Sequence, residues 1–484
     1  MHLVSTRPRA LQLLIATMAV ILGSALLWAP SAMAHAVVET IVPADGARLA
    51  QSPPEVRITF SETVQLLRGN DAEVVTATGE SMAGGAAQVP AGNGQQVVIP
   101  LQPRLASGTY TARWRVVSAD GHIIAGWSVF AVGDVPMGQP YLGGAGGASG
   151  PSETSPWAVG GRWLELIGIG GLVALLLFRL LVWRSVWRPV PPMSSEDRDS
   201  SLAWSRDAWW IGFGVLALVS LVGEACVLLV KTASATGVSI WGALSDPAAV
   251  VRVLADTRFG SLMQIRTLAL FVLFALGVWR FLAEYRTDRA PEPADADGGT
   301  WQGLVMLAPA LVALGSISAQ GHASVGRLPM LEVPTDALHA TCAAFWVGGL
   351  VMLAIWLLRL PRVAGEGGRT VSGIVLARYS QLALIAVALI VLTGVVRALG
   401  EMNTPADLWQ TSYGWTILVK IGLLGIAGIF AVRTRRVVTL LRGTGAPNTA
   451  TLALVRRNAW AEIAVMLIIV IASSLLVAQV PPLA

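Results

Sequence analysis

The sequence predicts an all-β sandwich domain followed by an all-α bundle of eight membrane-spanning helices. Only 13% of the 484 residues are charged, 54% are hydrophobic, and the mean hydropathy is +0.64. A soluble protein carries roughly 25% charged residues, so much of this chain is expected to lie in lipid. Apolar residues alternate with polar ones between positions 35 and 135, and eight long apolar runs follow beyond position 157.

Residues 1–34 are predicted to be a secretory signal peptide. A basic start precedes an uncharged apolar run over residues 11–28, and Ala32-Met33-Ala34 follows as a cleavage site. Cleavage after this triplet would leave His35 as the amino-terminal residue, with an α-amine and an imidazole side by side. Copper(II) favours tetragonal sites of nitrogen and oxygen, so His35 is a candidate copper ligand. The alternative is that cleavage leaves a histidine with no role, and an uncleaved leader would abolish the site.

Residues 35–135 are predicted to form short strands in an all-β sandwich or barrel, because runs of period two alternate with turns rich in Pro and Gly. The apolar positions of these runs are Val56, Ile58 and Phe60; Tyr110, Ala112, Trp114 and Val116; and Trp127, Val129 and Ala131. The two cysteines, Cys226 and Cys342, lie outside this domain, so no disulfide is expected in it. Residues 136–156, rich in Gly, Ser and Pro, are predicted to be a flexible linker.

A membrane domain is predicted over residues 157–484, because each of eight apolar runs is long enough to cross about 30 Å of hydrocarbon. The predicted spans lie near 157–183, 208–231, 261–283, 301–320, 336–358, 378–399, 414–432 and 460–480. The odd-numbered connections between spans are rich in arginine and the even-numbered ones are poor in it. By the positive-inside rule the arginine-rich connections are cytoplasmic, so the β-domain is expected on the extracytoplasmic face of the plasma (inner) membrane.

Two segments of the membrane domain repeat each other. Thr257-Arg-Phe-Gly-Ser-Leu-Met-Gln-Ile-Arg266 and Thr411-Ser-Tyr-Gly-Trp-Thr-Ile-Leu-Val-Lys420 share the pattern T-x-[FY]-G-x5-[RK]. Both would open odd-numbered spans, which run in the same direction, so the pattern predicts two parallel units of four helices. The alternative is that both segments are simply helix starts with a glycine and an interfacial aromatic.

The β-domain holds further candidate copper ligands. Asp120 and His122 lie two residues apart, so in an extended segment their side chains share a face. Together with the amine and imidazole of His35 they would complete a square around copper(II), and Glu62 is a candidate further ligand or hydrogen-bond acceptor. Alone, the Asp-x-His pattern also fits an ordinary turn with a surface histidine. Met82 is the one methionine inside the predicted domain, which argues against a soft copper(I) site there.

The membrane domain has a second group of candidate ligands. His322 lies at the outer end of the fourth predicted span, and His339 opens the fifth, one helical turn before Cys342. Met330 lies in the predicted loop between these spans. Imidazole, thiolate and thioether would suit copper in either oxidation state. The competing interpretation is two interfacial histidines and a small buried cysteine.

Charged residues within spans are costly and therefore functional candidates. Glu224 and Arg266 are predicted to form a buried pair, and Lys420 is the repeat equivalent of Arg266. A structural role is favoured for Arg266 and Lys420, and the role of Glu224 is left open. The other charged residues within spans are Glu165 and Glu462.

These residues carry a family resemblance. The β-domain resembles the periplasmic copper-binding family CopC in His35, Pro43-Ala44-Asp45-Gly46, Phe60-Ser61-Glu62 and Ser118-Ala119-Asp120-Gly121-His122. The eight-span region resembles its membrane partner CopD in Gly321-His322-Ala323, Trp346-Val347-Gly348-Gly349 and Ser412-Tyr413-Gly414. The whole chain is thus similar to a CopC–CopD fusion. The resemblance implies a cupredoxin-like, immunoglobulin-like sandwich that binds copper(II) through His35, Asp120 and His122, and a membrane half that takes copper inward.

The leading hypothesis from the sequence is a copper importer with a role in copper homeostasis or resistance. The sequence has no G-x4-G-K-[ST] motif for ATP, and neither an enzymatic activity nor a nucleic-acid partner is expected. The expected partners are copper ions, the lipid bilayer and other extracytoplasmic copper carriers. One alternative is a membrane-anchored copper buffer or sensor without transport. Another is a redox protein in which His322 and His339 ligate a haem.

Overall fold

The computed structural model describes residues 38–67, 71–118, 123–141, 151–152, 154–187, 193–286, 298–321, 328–402, 404–441, 447–477 and 479. The predicted signal peptide lies outside these ranges, as do four of the candidate ligands, His35, Asp120, His122 and His322.

The β-domain has two sheets. Its strands are β1 Val38–Val42, β2 Ala47–Leu49, β3 Glu55–Phe60, β4 Val64–Gln65, β5 Ala72–Thr76, β6 Gln96–Pro100, β7 Gly108–Ser118 and β8 Ile123–Val132. One sheet has the order β1-β3-β6. The other has the order β2-β8-β7-β4, with β5 also paired to β7. All pairings are antiparallel except that of β2 with β8.

A single apolar core joins the two sheets, which confirms the predicted sandwich. Val56, Ile58 and Phe60 of β3 are completely buried in it and face Tyr110, Trp114 and Val116 of β7 across the core. On β8 the predicted apolar stripe is wrong by one residue. The register pairs Tyr110 with Phe130, so Phe130 points into the core and the half-exposed Trp127 lies on the opposite face.

The first six residues of the predicted linker over residues 136–156 lie against β7. The backbone N–H groups of Gly138 and Tyr141 donate to the hydroxyls of Thr109 and Thr111 on β7, at 3.0 and 2.9 Å. The Tyr141 ring also lies beside the Arg113 guanidinium, 5.9 Å from ring centroid to carbon. Residues 136–141 therefore cover the outer face of β7, because β7 presents hydroxyl groups there that pair with a passing backbone.

Within the part of the chain that the structure describes, eight helices are long and apolar enough to cross a membrane, as predicted, so this is a multi-pass membrane protein. They are α1 Pro156–Val186, α2 Ser195–Thr236, α5 Arg258–Arg286, α6 Gly298–Gln320, α7 Pro329–Val363, α8 Gly365–Glu401, α10 Ser412–Leu441 and α11 Thr449–Leu476. Three short helices lie between them: α3 Ile240–Leu244, α4 Pro247–Asp256 and α9 Asp407–Gln410.

Several of these helices extend well beyond the predicted apolar runs. Helix α2 begins 13 residues before position 208, and α7 begins seven residues before position 336. Caps set the ends of α2: the Ser194 hydroxyl accepts a hydrogen bond from the Asp197 N–H, and Gly237 ends the helix with φ +69°. The sequence prediction used hydrophobicity alone, and hydrophobicity does not mark where a helix continues into water.

The helices form two units of four, the first containing α1, α2, α5 and α6 and the second α7, α8, α10 and α11. In each unit the first helix packs against the second and the fourth, and the third packs against the fourth. Helices α1 and α7 pack against each other, and each also contacts the last helix of the other unit. At the centre, a Cβ on Gly348 would lie only 2.4 Å from the Ala174 Cβ, so the two helices approach closely. The same pairings in both units support the predicted duplication.

The repeated segments have the same local structure. Thr257 and Thr411 are both extended, and their hydroxyls accept hydrogen bonds from the N–H groups of Gly260 and Gly414 at 2.9 and 3.0 Å. Each threonine hydroxyl donates to the preceding short helix. A Cβ on either glycine would lie about 2.2–2.3 Å from a carbonyl oxygen of that short helix. The shared pattern therefore specifies a tight turn between a short helix and a spanning helix.

Candidate functional site

The described candidate ligand of the β-domain is Glu62, which follows β3 and is 3% exposed. Val64, two residues later, pairs with Ser118 at the end of β7. The side chain is therefore buried at the end of the sandwich where β7 turns into β8. The other three predicted ligands of this domain, His35, Asp120 and His122, lie outside the described residues.

This end of the sandwich contacts the membrane domain. The Arg115 guanidinium of β7 donates from Nη1 to the carbonyl oxygen of Ser234, 2.8 Å away in the last turn of α2. Val117 and Ile123, which flank the β7–β8 turn, pack in one apolar cluster with residues of α2, α4 and α5. The bundle residues of that cluster are Val227, Leu228, Ala235, Val253, Leu254, Phe259 and Met263. We call this end of the bundle the docked end.

The docking contact is electrostatically favourable. Arg115 is 6% exposed, and burial lowers the pKa of its guanidinium while the nearby Asp71 carboxylate opposes that shift. The guanidinium remains a cation at physiological pH because arginine starts from a very high pKa. A cation at the carboxyl end of a helix interacts favourably with the helix dipole and with unpaired carbonyl groups. Arg115 was not among the predicted functional residues, since in the sequence it is one polar residue in an alternating strand.

His339 lies in α7 against α8, inside the second unit. Its Nδ1 is 2.9 Å from Oγ1 of Thr393, and its ring lies against Gly394. The Thr393 hydroxyl carries one proton, which it donates to the Leu389 carbonyl at 2.6 Å. In the tautomer in which Nδ1–H of His339 donates to this hydroxyl, the lone pair lies on Nε2. An imidazole held in this way is in the form that ligates a metal.

The structure separates the other candidates of this group. Cys342 is buried one turn along α7 from His339. Met330 lies in the first turn of α7, not in a loop, and is exposed. Nine residues of helix place it roughly 13.5 Å along the axis from His339, so it cannot share an ion with that imidazole.

A charged cluster surrounds His339, and of its charged members only Lys420 was singled out from the sequence. The Arg397 side chain contacts the Asp336 carboxylate at 2.5 Å and the Glu401 carboxylate at 3.3 Å. The Tyr413 hydroxyl hydrogen-bonds to Glu401, and Lys420 lies within electrostatic range of Arg397, Glu401 and Asp336. Asp336, Arg397 and Glu401 were not singled out because they fall at the ends of predicted spans, where charged residues are ordinarily assigned to the membrane interface.

The first unit has a different buried cluster. Arg266, completely buried, contacts the Glu224 carboxylate through Nε, which confirms the predicted pair. It also contacts Glu165 Oε1 through Nη2 at 2.9 Å, and Nη1 donates to Gln320 Oε1 at 3.2 Å. Glu165 was recognised as a charge in a span, but its contact with Arg266 was not predicted because a single long-range ion pair between α1 and α5 has no signature in the sequence.

A third buried carboxylate, Glu462, lies deeper in the bundle. It is 2% exposed on α11 and accepts a hydrogen bond from the side chain of Trp346 on α7. The Tyr379 hydroxyl donates to the carbonyl oxygen of Trp346 at 2.5 Å. These contacts connect three helices of the second unit. Across the described residues, no group of three or more His, Cys, Asp or Glu side chains has the arrangement of a metal site.

Two protein families match the chain. Residues 38–133 match the CopC domain, and residues 373–476 match the family described as Copper resistance protein D, or CopD. The first match covers the β-sandwich, and the second covers most of the second unit.

Individual relatives agree with these families. The chain is 26% identical over 397 residues to the copper transport protein CutJ of Bacillus subtilis (strain 168), which covers 81% of this chain and 66% of CutJ, slightly less than two thirds. It is 33% identical over 103 residues to the protein YobA of Escherichia coli (strain K12), which covers 21% of this chain and 82% of YobA. The crystal structure of CopC from Methylosinus trichosporium OB3b is 27% identical and covers 22% of this chain and 100% of that chain, with a TM-score of 0.19.

Proposed function

Because the chain belongs to the CopC copper resistance family and carries a CopD domain in the same polypeptide, we propose that it is a copper transporter. In this proposal the β-domain captures copper(II) outside the membrane and the bundle carries copper inward. The observation that carries the proposal is the docking of the β-domain, by the end that holds Glu62, on the end of the helical bundle.

The proposed capture site consists of His35, Asp120 and His122, with Glu62 as a further ligand or acceptor. Chain connectivity supports this grouping. Val64 pairs with Ser118 in the sheet. Glu62 lies two residues before Val64, and Asp120 lies two residues after Ser118. Imidazole, amine and carboxylate donors are those that copper(II) prefers.

The docking contact favours transfer of copper between the domains. The β7–β8 turn is bounded by Val117 and Ile123, and both pack on α2, α4 and α5. A donor held on the same chain reaches its acceptor at an effective concentration in the millimolar range, without a diffusional encounter. Copper released from the β-domain is therefore delivered at the docked end of the bundle.

His339 is the proposed acceptor in the membrane domain, with His322 as its partner at the same end. The Thr393 hydrogen bond presents Nε2 of His339 as the metal-binding nitrogen. Trp346 lies about 10 Å further along the axis of α7 than His339. Its side chain donates a hydrogen bond to the buried Glu462. Arg397 and Lys420 near His339 oppose a bound cation, which would keep copper occupancy transient.

The proposed direction is inward. The arginine-rich connections lie at the end of the bundle opposite the β-domain, where Arg179 and Arg280 bind Glu284. The positive-inside rule assigns that end to the cytoplasm and the β-domain to the outside.

Uptake of copper by proteoliposomes containing the full chain tests this function. We expect wild-type protein to accumulate copper above protein-free vesicles, and we expect His339→Ala to lower the initial rate at least tenfold. Thr341→Val is a matched control on the same helix, since the Thr341 hydroxyl bonds only its own turn at Ala337. Uptake by His339→Ala at the wild-type rate would refute the route. Copper binding without any uptake by wild-type protein would favour an anchored buffer.

A further inference from the structure

The first unit contains two buried carboxylates but one buried cation. Glu165 and Glu224 are 3% and 7% exposed, and both contact Arg266. With both carboxylates ionised, the cluster would carry one net negative charge at membrane depth, about 12 Å along α5 from its first residue. An uncompensated charge there is strongly unfavourable, so the cluster gains stability by binding a cation.

We propose that Glu165 and Glu224 form an exchangeable proton-binding site whose occupancy is coupled to copper movement through the membrane domain. This rests on the proposed transport function. The proton is taken from water by a carboxylate oxygen and returned to water, so no other reactant is needed. In the protonated state the cluster is neutral, with one carboxylate paired to Arg266 and one carboxylic acid.

The second unit supports the argument by contrast. At its equivalent position Lys420 joins Arg397, so two cations face the carboxylates of Asp336 and Glu401. Among the described residues of that cluster the charges balance, and no extra cation is required. The two units share a fold, but the first has an excess of carboxylate.

Glu224 has an open position for the proton. Its Oε2 has no hydrogen-bond partner, although the side chain is more than nine-tenths buried. Glu224 lines a groove of about 600 Å³ between α2 and α5, where Gln264 and Thr267 are the other polar lining residues. The unpartnered oxygen is the position at which a proton would bind, and Gln264 and Thr267 are polar groups in the same groove.

The helices packed around Glu224 define its electrostatic surroundings. Helix α1 contributes Glu165, α5 contributes Arg266 and α4 contributes the apolar Leu254. Helix α6 contributes the neutral Gln320. The other charged residues near these positions are Arg162, Lys231 and Arg258, and each lies closer to the docked end along its helix. The two carboxylates and Arg266 are therefore the groups that titrate or respond to titration here.

Infrared difference spectroscopy of the full-length protein tests the site without any transport assay. We expect the carbonyl band of a protonated carboxylic acid that disappears as pH is raised and is lost in Glu224→Gln. Glu165→Gln is the second variant, in case the first fails to fold. Glu284→Gln is the matched control, since Glu284 lies at the other end of α5 between Arg179 and Arg280, and the band should remain. Absence of the band in wild-type protein, or a band that does not titrate, overturns the proposal.

Copper uptake at different external pH values tests the coupling. A single coupled proton changes the wild-type initial rate by up to about tenfold per pH unit. In Glu224→Gln the ratio of rates at acidic and alkaline pH should move toward unity, because the coupled proton is lost while the amine and imidazoles of the capture site still titrate. A Glu224→Gln variant that keeps the wild-type pH dependence overturns the coupling. Absence of uptake by wild-type protein at every pH would instead refute the transport function, and the infrared titration would still decide the proton site.

Discussion

Replacing Arg115 by methionine should weaken the docking of the β-domain on the bundle while leaving both domains folded. The substitution removes the hydrogen bond from Nη1 to the Ser234 carbonyl, 2.8 Å away, and keeps most of the apolar side-chain volume. A hydrogen bond to a charged group contributes about 1.5–3 kcal/mol. That corresponds to a fall of about 10- to 150-fold in the ratio of docked to undocked protein. The apolar contacts of Val117 and Ile123 remain, so the result is weakened docking and not separation.

Hydrogen–deuterium exchange of the full chain measures this change. The amide groups in the last turn of α2, around Ser234, should lose protection in Arg115→Met. Arg113→Met is the matched control, because Arg113 lies two residues away on the same face of β7 and binds Glu73 within the β-domain at 2.6 Å. Arg113→Met should change hydrogen–deuterium exchange in β5 and leave exchange in α2 unchanged. Equal protection of α2 in wild-type and Arg115→Met protein would refute the docking argument, as would an equal loss in the control.

Three further outcomes follow from single contacts. Thr393→Val, which removes the acceptor that fixes the neighbouring imidazole, should lower copper uptake about tenfold or less, whereas Thr341→Val should leave it unchanged. Gly414→Ala should lower the thermal unfolding temperature, because overpacking against a carbonyl costs about 1–3 kcal/mol. Its control is Gly422→Ala on the same helix, which has open space around it and should be neutral or stabilising by up to about 1 kcal/mol. Burial raises the pKa of Tyr110 above its ordinary value of 10.0, so its stabilising effect is complete at lower pH and is lost as pH rises through the raised pKa. Tyr110→Phe should therefore cost about 0.5–1.5 kcal/mol at neutral pH and make unfolding less sensitive to alkali, measured by tryptophan fluorescence.

The fold was largely predictable because its two halves follow different hydrophobic periods. Alternation at Val56, Ile58 and Phe60 placed β3 in a core, and the sandwich has that core. The stripe of β8 was placed on the wrong face because both faces of this strand carry apolar residues, and only pairing with β7 decides which face is inside. Hydrophobicity located all eight spans but not their ends, which depend on caps such as Ser194.

The sites were less predictable than the fold because they depend on contacts between distant segments. The pair of Glu224 with Arg266 followed from two costly charges in outer helix halves, and it is present. The contact of Glu165 with the same arginine depends on how the four helices of the first unit come together, which the sequence does not show. Met330 and His339 are only nine residues apart in the sequence, but both lie in one continuous helix, which keeps their side chains too far apart to share an ion. A histidine near a span start does not reveal its hydrogen-bond partner, and Thr393 lies 54 residues away from His339.

The duplicated bundle offers an internal comparison of architecture with function. Thr257 and Gly260 have the same contacts as Thr411 and Gly414, so the shared residues maintain a turn that both units need. The buried ionisable groups differ between the two units. The second unit holds an imidazole with a presented nitrogen in a balanced charge cluster, and the first holds an excess carboxylate beside Arg266. If the two units had the same function, we would expect the same buried charges at equivalent depths. In the proposed transporter the divergence has a physical purpose, because a metal ligand and a proton acceptor placed in separate units avoid competition between copper and protons for the same donor atoms.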